Sequence, residues 1–403
     1  MADTSLADFG SRLRTARKMA GLSLEDLSEK IGGAVTRQAI SKYERGRMLP
    51  SPEVLCRLTQ TLAIQPYVAP AQIECYRIAK VAEQMRDRDE VPGAPHDMAG
   101  LASRRLFRMR RVGAAPALAA PAVPVTEPEL AQVRFRQREK LPAKTALALR
   151  LRVGDYVRRC LETESALGLA HTFINPLAGC AVWTAADVET AASDVRRAWD
   201  LGSGPVTNLL GLLEDKGIRV FELRGIEEFE GLSGNYGTVP FVTVNRDFPD
   251  DRVRFTAAHE LGHLLCGFPE REGAESLCHA FAGAFLLPRE AAERALLPAR
   301  RKISLWELKE LKESYGISLQ AIIYRARSLG LVTGRQVRRF RETIREKGWL
   351  VTEPVEYRGN EQASRLRRLL SYAVAERIIA PERAAALAGV SPGEFMGELG
   401  EVF

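Results

Sequence analysis

The sequence predicts a predominantly helical α+β protein with three parts: an all-α N-terminal domain, a mixed domain with a small sheet, and a helical C-terminal region. In the first part, residues 9–64, apolar side chains recur at helical spacing in several short segments. In the second part, residues 218–223 and 241–244 are rich in β-branched and aromatic residues, which is typical of strands. Two helical segments, 253–266 and 274–287, follow these strands.

Changes in composition divide the chain into four regions. A helical domain occupies residues 1–68, and residues 69–132 contain a helix and a linker rich in Ala, Pro and Arg. The mixed domain occupies residues 133–298. The mostly helical C-terminal region occupies residues 299–403.

The overall composition is that of a soluble globular protein, because 46% of the 403 residues are hydrophobic and 27% are charged. We expect no signal peptide, because the start of the sequence has no apolar h-region, and no membrane span, because no stretch reaches ~18 consecutive apolar residues. The six cysteines form no CxxC pair, which favours reduced thiols and a cytoplasmic location over a disulfide framework. The net charge of +7 is compatible with a polyanionic partner without establishing one.

A metal-binding pattern occurs in the first helix after the strands, where the sequence reads HELGH. Residues four apart on a helix share a face, so His259 and His263 can hold one zinc ion while Glu260 points at the open coordination position. A catalytic zinc site takes three protein ligands, and Glu275 on the next helix is the candidate for the third. The alternative is a buried histidine pair without metal, for which burying these polar groups would cost free energy.

Other metal-binding residue types lie near this pattern. His279 follows Glu275 by four residues, shares its helix face, and is either an alternative ligand or a partner of a ligand. Cys266 and Cys278 are expected to be buried apolar residues, which isolated helical cysteines usually are. The expected cofactor is one zinc ion per chain, although the same ligands also suit manganese.

This arrangement predicts peptide hydrolysis. Glu260 would accept the proton of the attacking water and return it to the leaving amine, while the metal polarises the carbonyl. We expect an extended peptide to bind by strand addition along an edge formed by residues 241–244.

The residues around the pattern resemble the ImmA/IrrE family of zinc metallopeptidases. The similarity rests on RFTAAHELGHLL and ESLCHAFAGAFLLP, extends upstream through AWDLGSGPVTNLLGLLEDKGIRVFEL and EFEGLSGNYGTVPFVTVNRD, and covers roughly residues 135–300. It implies a zincin-like fold with His259, His263 and Glu275 as ligands and Glu260 as the catalytic base. His279 departs from the family pattern, where many relatives carry Asn, and a fourth protein ligand there would weaken the case for an open catalytic position.

The N-terminal domain contains two short helices joined by Gly32 and Gly33, and Thr36 is expected to cap the second. The start of that helix, its exposed face and the residues just after it carry side chains suited to base edges and phosphates: Thr36, Arg37, Gln38, Ser41, Lys42, Arg45 and Arg47. Residues 9–64, including SKYERG, resemble the XRE (Cro/lambda repressor-like) helix-turn-helix family. This resemblance implies binding to double-stranded DNA, with a homodimer on paired half-sites. The alternative is a small helical protein-interaction domain, because the segment is only weakly basic.

Two further basic segments have two interpretations each. The linker arginines add a salt-sensitive DNA contact or are simply solvated: Arg104, Arg105, Arg108, Arg110 and Arg111. In the C-terminal region, paired short helices form a second helix-turn-helix-like module or a helical cap over the mixed domain, and their basic residues are Arg301, Lys302, Arg325 and Arg327.

Together these patterns predict a DNA-binding transcriptional regulator that carries a zinc-dependent endopeptidase. It would cleave a regulatory protein, either itself at the linker or a partner, in a response of the stress, mobile-element or toxin–antitoxin type. The alternative is a non-proteolytic XRE regulator or antitoxin whose metallopeptidase fold only senses a ligand or binds a partner. Glu260 argues against that alternative, because a purely structural metal site does not need it. A broad degradative protease is not expected, since digestive proteases rarely carry a DNA-binding domain.

Overall fold

The computed structural model describes residues 2–62, 134–136, 142–169, 172–180, 182, 184–226, 229–266, 273–296, 302–350 and 352–400. The chain divides into two compact units, Met1–Glu127 and Pro128–Phe403. The predicted linker, including its arginines, lies outside the described residues. The predicted fold class is confirmed, because the first unit is helical and the second combines helices with a small sheet. Within the described ranges, every helix is too short or too polar to cross a bilayer.

The first unit is built from short helices: α1 (Ala2–Met19), α2 (Leu24–Lys30), α3 (Arg37–Glu44) and α4 (Pro52–Thr61). Their shared core comprises Leu13, Leu27, Ile31, Ile40, Tyr43, Leu58 and Leu62. Gly10 lets α1 pack against the end of α3, because a Cβ at Gly10 would lie 2.5 Å from the carbonyl oxygen of Tyr43. Gly32 and Gly33 connect α2 to α3, and both have a positive φ that favours glycine.

The second unit contains a sheet that has four strands among the described residues: β1 (Arg134–Arg136), β2 (Arg219–Leu223), β3 (Gly231–Tyr236) and β4 (Val239–Asn245). The spatial order is β1-β3-β4-β2. Val242 in β4 pairs with Ser233 of antiparallel β3 and with Val220 of parallel β2. The prediction that residues 241–244 form an edge for an extended peptide is therefore wrong. Neighbouring strands already pair with both sides of β4.

Helices cover both faces of this sheet. On one face, α5 (Ala143–Ala166) shares an apolar cluster with Phe241 of β4. On the other face, α7 (Leu209–Asp215) packs on β2 and α8 (Asp250–Cys266) packs on β3 and β4. Two further helices, α6 (Ala185–Ala198) and α9 (Ala274–Leu286), pack on each other, and α9 also packs on α8. Helix α8 is thus enclosed between the sheet and α9.

The remaining helices are α10 (Arg289–Leu296), α11 (Leu305–Tyr315), α12 (Leu319–Ser328), α13 (Gly334–Glu346), α14 (Arg365–Ala375), α15 (Pro381–Ala388) and α16 (Pro392–Leu399). Helix α12 packs on α9, and its buried Arg325 forms an ion pair with Glu189 and donates to the carbonyl of Leu287. Arg325 is therefore bonded within the unit, which favours a helical cap for α11 and α12. Helices α14 to α16 form a small apolar core of their own next to α5.

Arg254 is a fully buried cation on α8, and its guanidinium has partners from several segments. It donates to the carboxylate of Glu361 and to the carbonyl oxygens of Val206 and Tyr315. Glu361 is also buried, and its Oε2 accepts the first backbone N–H groups of α7. Removing either partner of such a buried ion pair destabilises the fold, because the remaining charge would stay buried without a counter-charge.

A second buried ion pair also connects α8 to the C-terminal region. Asp251 of α8 lies 2.6 Å from Nζ of Lys312 in α11, and the same ammonium lies 2.7 Å from Glu353. Glu353 in turn accepts the N–H of Leu319 at the start of α12. Residues beyond α10 therefore help to fix the position of α8.

We expect the Glu361→Ala variant to lower the free energy of unfolding of the second unit by about 3–5 kcal/mol, because Arg254 would be left buried without its carboxylate. Urea denaturation followed by circular dichroism measures this loss. The matched control is Asp194→Ala, which breaks the exposed 2.7 Å pair with Arg197 and should cost less than about 1 kcal/mol. Equal losses in the two variants would contradict a structural role for the buried pair.

Candidate metal centre

The two histidines of HELGH lie on one buried face of α8. Nε2 of His259 is 3.2 Å from Nε2 of His263, and both side chains are almost completely buried. Their rings are nearly perpendicular, at 72°. The structure therefore brings together the two nitrogens that the helical spacing predicted to converge.

Glu275, in the first turn of α9, completes a three-residue cluster. Its Oε2 lies 3.0 Å from Nε2 of His259, and its Oε1 lies 3.3 Å from Nε2 of His263. Hydrogen bonding to His259 and then His263 holds the pKa of Glu275 well below its usual range, although partial burial opposes this shift. The carboxylate is therefore ionised and suited to bind a cation.

The separations among these atoms suit a zinc ion. Zinc–ligand bonds of about 2.0–2.1 Å at tetrahedral angles place ligand atoms about 3.3 Å apart. The observed separations are 3.0, 3.2 and 3.3 Å. The side chain of Glu275 is 58% exposed, so the cluster can be reached from solvent.

Two glycines allow α8 to lie close to its neighbours. A Cβ at Gly262, the fourth residue of HELGH, would lie 3.1 Å from the ring of Phe281 in α9. A Cβ at Gly231 of β3 would lie 2.4 Å from Cγ2 of Thr256 in α8. The first close approach brings the histidines to Glu275, and the second brings α8 to β3.

Glu260 contacts β3. Its Oε2 accepts a 2.7 Å hydrogen bond from the hydroxyl of Ser233, and both side chains are buried. The sequence did not identify Ser233, because GLSGNY has the composition of a turn. The pairing of Ser233 with Val242 shows that it lies in the sheet.

Cys278 is closer to the centre than the sequence indicated. Its buried Sγ lies 3.2 Å from Nδ1 of His263, and His259, His263 and Cys278 form a second group of atoms that could hold a metal. A partner at one ring nitrogen orients the other nitrogen of a metal-binding histidine. Cys266 is buried as expected, and this burial raises the pKa of its thiol to about 12.

His279 lies at the exposed edge of the same cluster. Its Nδ1 is 2.7 Å from the carbonyl oxygen of Glu275, and its ring centroid is 4.5 Å from that of His259. His259, Glu275 and His279 form a third candidate metal group, whose atoms lie within 4.8 Å of one another. The proposed role of His279 as an alternative ligand or a partner of one stays a prediction.

The first unit presents the predicted DNA-contacting residues around α3. Thr36 caps this helix as expected, since its hydroxyl oxygen accepts the N–H of Ala39 at 3.3 Å. Ser41 is half-buried. The exposed members of the set are Thr36, Arg37, Gln38, Lys42, Arg45 and Arg47. Arg37 forms an exposed pair with Glu25 at 3.3 Å, which is weak enough for a phosphate to replace it.

Comparison with known families assigns both regions. Residues 13–67 match the model of the helix-turn-helix family, and residues 213–327 match the model of the IrrE N-terminal-like domain. No curated protein was found to match the chain. The second match includes β3, α8 and α9. The chain therefore combines an N-terminal helix-turn-helix domain with an IrrE N-terminal-like domain, which is metallopeptidase-like and contains the candidate metal centre.

Proposed function

We propose that the chain is a DNA-binding transcriptional regulator whose second unit is a zinc-dependent endopeptidase. The observation that supports this is the cluster of His259, His263 and Glu275 beside the buried Glu260. The substrate is a regulatory protein: the chain itself at residues 69–132, or a partner in a stress, mobile-element or toxin–antitoxin type response. The regulator acts in the cytoplasm as a homodimer on paired DNA half-sites.

His259, His263 and Glu275 hold the proposed ion. When bound, zinc supplies Lewis-acid chemistry, which lowers the pKa of water and polarises a carbonyl group. Metal ligation requires a neutral imidazole and an ionised carboxylate. The side chain of Glu275 is 58% exposed, and an exposed carboxyl group is ionised at neutral pH.

Glu260 is the proposed general base and acid. It accepts the proton of the attacking water and later delivers a proton to the leaving amine. The 2.7 Å hydrogen bond from Ser233 fixes one of its carboxylate oxygens. Because both side chains are buried, bulk water does not compete for this hydrogen bond.

A second candidate function is regulation without proteolysis. It is favoured by Cys278 and His279, each of which forms a candidate metal group with residues of the main cluster. A fourth protein ligand would occupy the coordination position that catalysis needs. The metal would then stabilise a domain that senses a ligand or binds a partner.

We expect purified wild-type protein to contain about one zinc ion per chain, and the His263→Ala and Glu275→Ala variants to lose it, because each removes one of three ligands. Elemental analysis measures the metal, and circular dichroism confirms folding. The His279→Asn variant is the control and should keep its zinc. Metal-free but folded wild-type protein, or retention of zinc by Glu275→Ala, would count against this ligand set.

We expect Glu260→Gln to keep its zinc and to slow peptide cleavage by roughly 10²–10⁴-fold, because an amide cannot transfer the proton. Mapping of new protein N-termini in cells that express either form detects cleavage of any cellular protein, whichever one is the substrate. Termini that appear with the wild type and vanish with Glu260→Gln support proteolysis. The same termini in both strains, with intact regulation, would support the non-proteolytic alternative.

A further inference from the structure

We propose that a group of arginines at the start of α13 is a second, sequence-independent contact site for double-stranded DNA, apart from the helix-turn-helix domain. The α13 arginine cluster consists of Arg327 near the end of α12 together with Arg335, Arg338 and Arg339 of α13. All four side chains are exposed. Neither the metal centre nor the helix-turn-helix domain uses them.

The geometry of α13 places these cations together. Arg335, Arg338 and Arg339 follow the i, i+3, i+4 spacing that puts residues on one helix face. The guanidinium groups of Arg327 and Arg338 flank the same backbone position, since each has a nitrogen 3.9 Å from where a Cβ of Gly334 would lie. The cluster therefore spans the end of one helix and the first turns of the next.

The cluster lacks neutralising carboxylates within the described part of the chain. Arg327 donates to the carbonyl of Val332 at 3.3 Å, and none of the four arginines forms an ion pair with a described acidic residue. Glu342 makes no such pair, although it follows Arg338 by one helical turn. Several exposed arginines elsewhere in this unit do pair with a carboxylate, as Arg197 does with Asp194. Four adjacent positive charges repel one another, and a polyanion relieves that repulsion.

The opposite face of α13 helps to identify the partner. Val337 and Ile344 are buried, and Phe340 packs against the main core of the unit. An amphipathic helix binds a bilayer by inserting its apolar face. The apolar face of α13 already packs on the core, so its polar, arginine-rich face is the one left for contact with a partner. Guanidinium groups match phosphate oxygens in bidentate geometry, and DNA presents phosphates in a regular row. The chain also carries a DNA-binding type of domain at its N-terminus.

The test uses the full-length protein and a fluorescent duplex of about 30 base pairs with random sequence. Affinity is measured by anisotropy across a series of NaCl concentrations. In the R335Q/R338Q/R339Q variant, we expect the slope of log affinity against log salt to decrease in magnitude by about 2.7, or ~0.9 for each lost phosphate contact. Glutamine is a good helix former, so these exposed substitutions should not unfold α13.

The matched control is R224Q/R358Q/R377Q, which removes the same charge from exposed positions elsewhere in the unit and should leave the slope unchanged. An unchanged slope in the α13 variant, or an equal decrease in both triple variants, would overturn the proposal. Weaker binding of the α13 variant to phosphatidylglycerol vesicles, with an unchanged DNA slope, would instead assign the cluster to a membrane surface. If the wild type binds no duplex at all, the DNA-binding part of the proposed function fails as well.

Discussion

Helix α8 lies between the sheet and α9, and six of its polar side chains are buried there, so each of these needs a partner inside the protein. Arg254 forms an ion pair with Glu361 of the C-terminal region, and Glu260 accepts a hydrogen bond from Ser233 of β3. His259 and His263 both contact the carboxylate of Glu275 in α9. These interactions of buried polar side chains fix the positions of the C-terminal region, β3 and α9 relative to α8. The same contacts that make the burial of α8 tolerable also assemble the candidate metal centre.

This arrangement has a functional consequence, because a metal site works best when its ligands are held before the ion binds. Gly262 and Gly231 let α8 approach α9 and β3 more closely than side chains would allow. The ion pair of Asp251 with Lys312 holds the first turn of α8 from the other end. Helix α8 therefore cannot shift without exposing or unpairing a buried charge. Beyond this unit, we propose that the helix-turn-helix domain supplies the sequence-reading surface and that the α13 arginine cluster adds a phosphate contact.

The sequence predicted the parts of the site that depend on local periodicity. The spacing of His259 and His263 on a helix determines their common face, and the structure brings Glu275 to both. It did not predict β3, whose glycines and polar residues have low strand propensity and are held by pairing with β1 and β4. Strand order is also a non-local property, which is why residues 241–244 were wrongly expected at an edge. The contact of Arg254 with Glu361 joins residues 107 apart, and no local pattern indicates it.

We propose that α8 and α9 together present two imidazoles and one carboxylate to a single zinc ion. X-ray absorption at the zinc edge of the purified full-length protein tests this ligand set directly. We expect only nitrogen and oxygen ligands, at about 2.0–2.1 Å, with two imidazoles among them. A sulfur ligand at about 2.3 Å would contradict it, because Cys278 would then replace Glu275 beside His259 and His263.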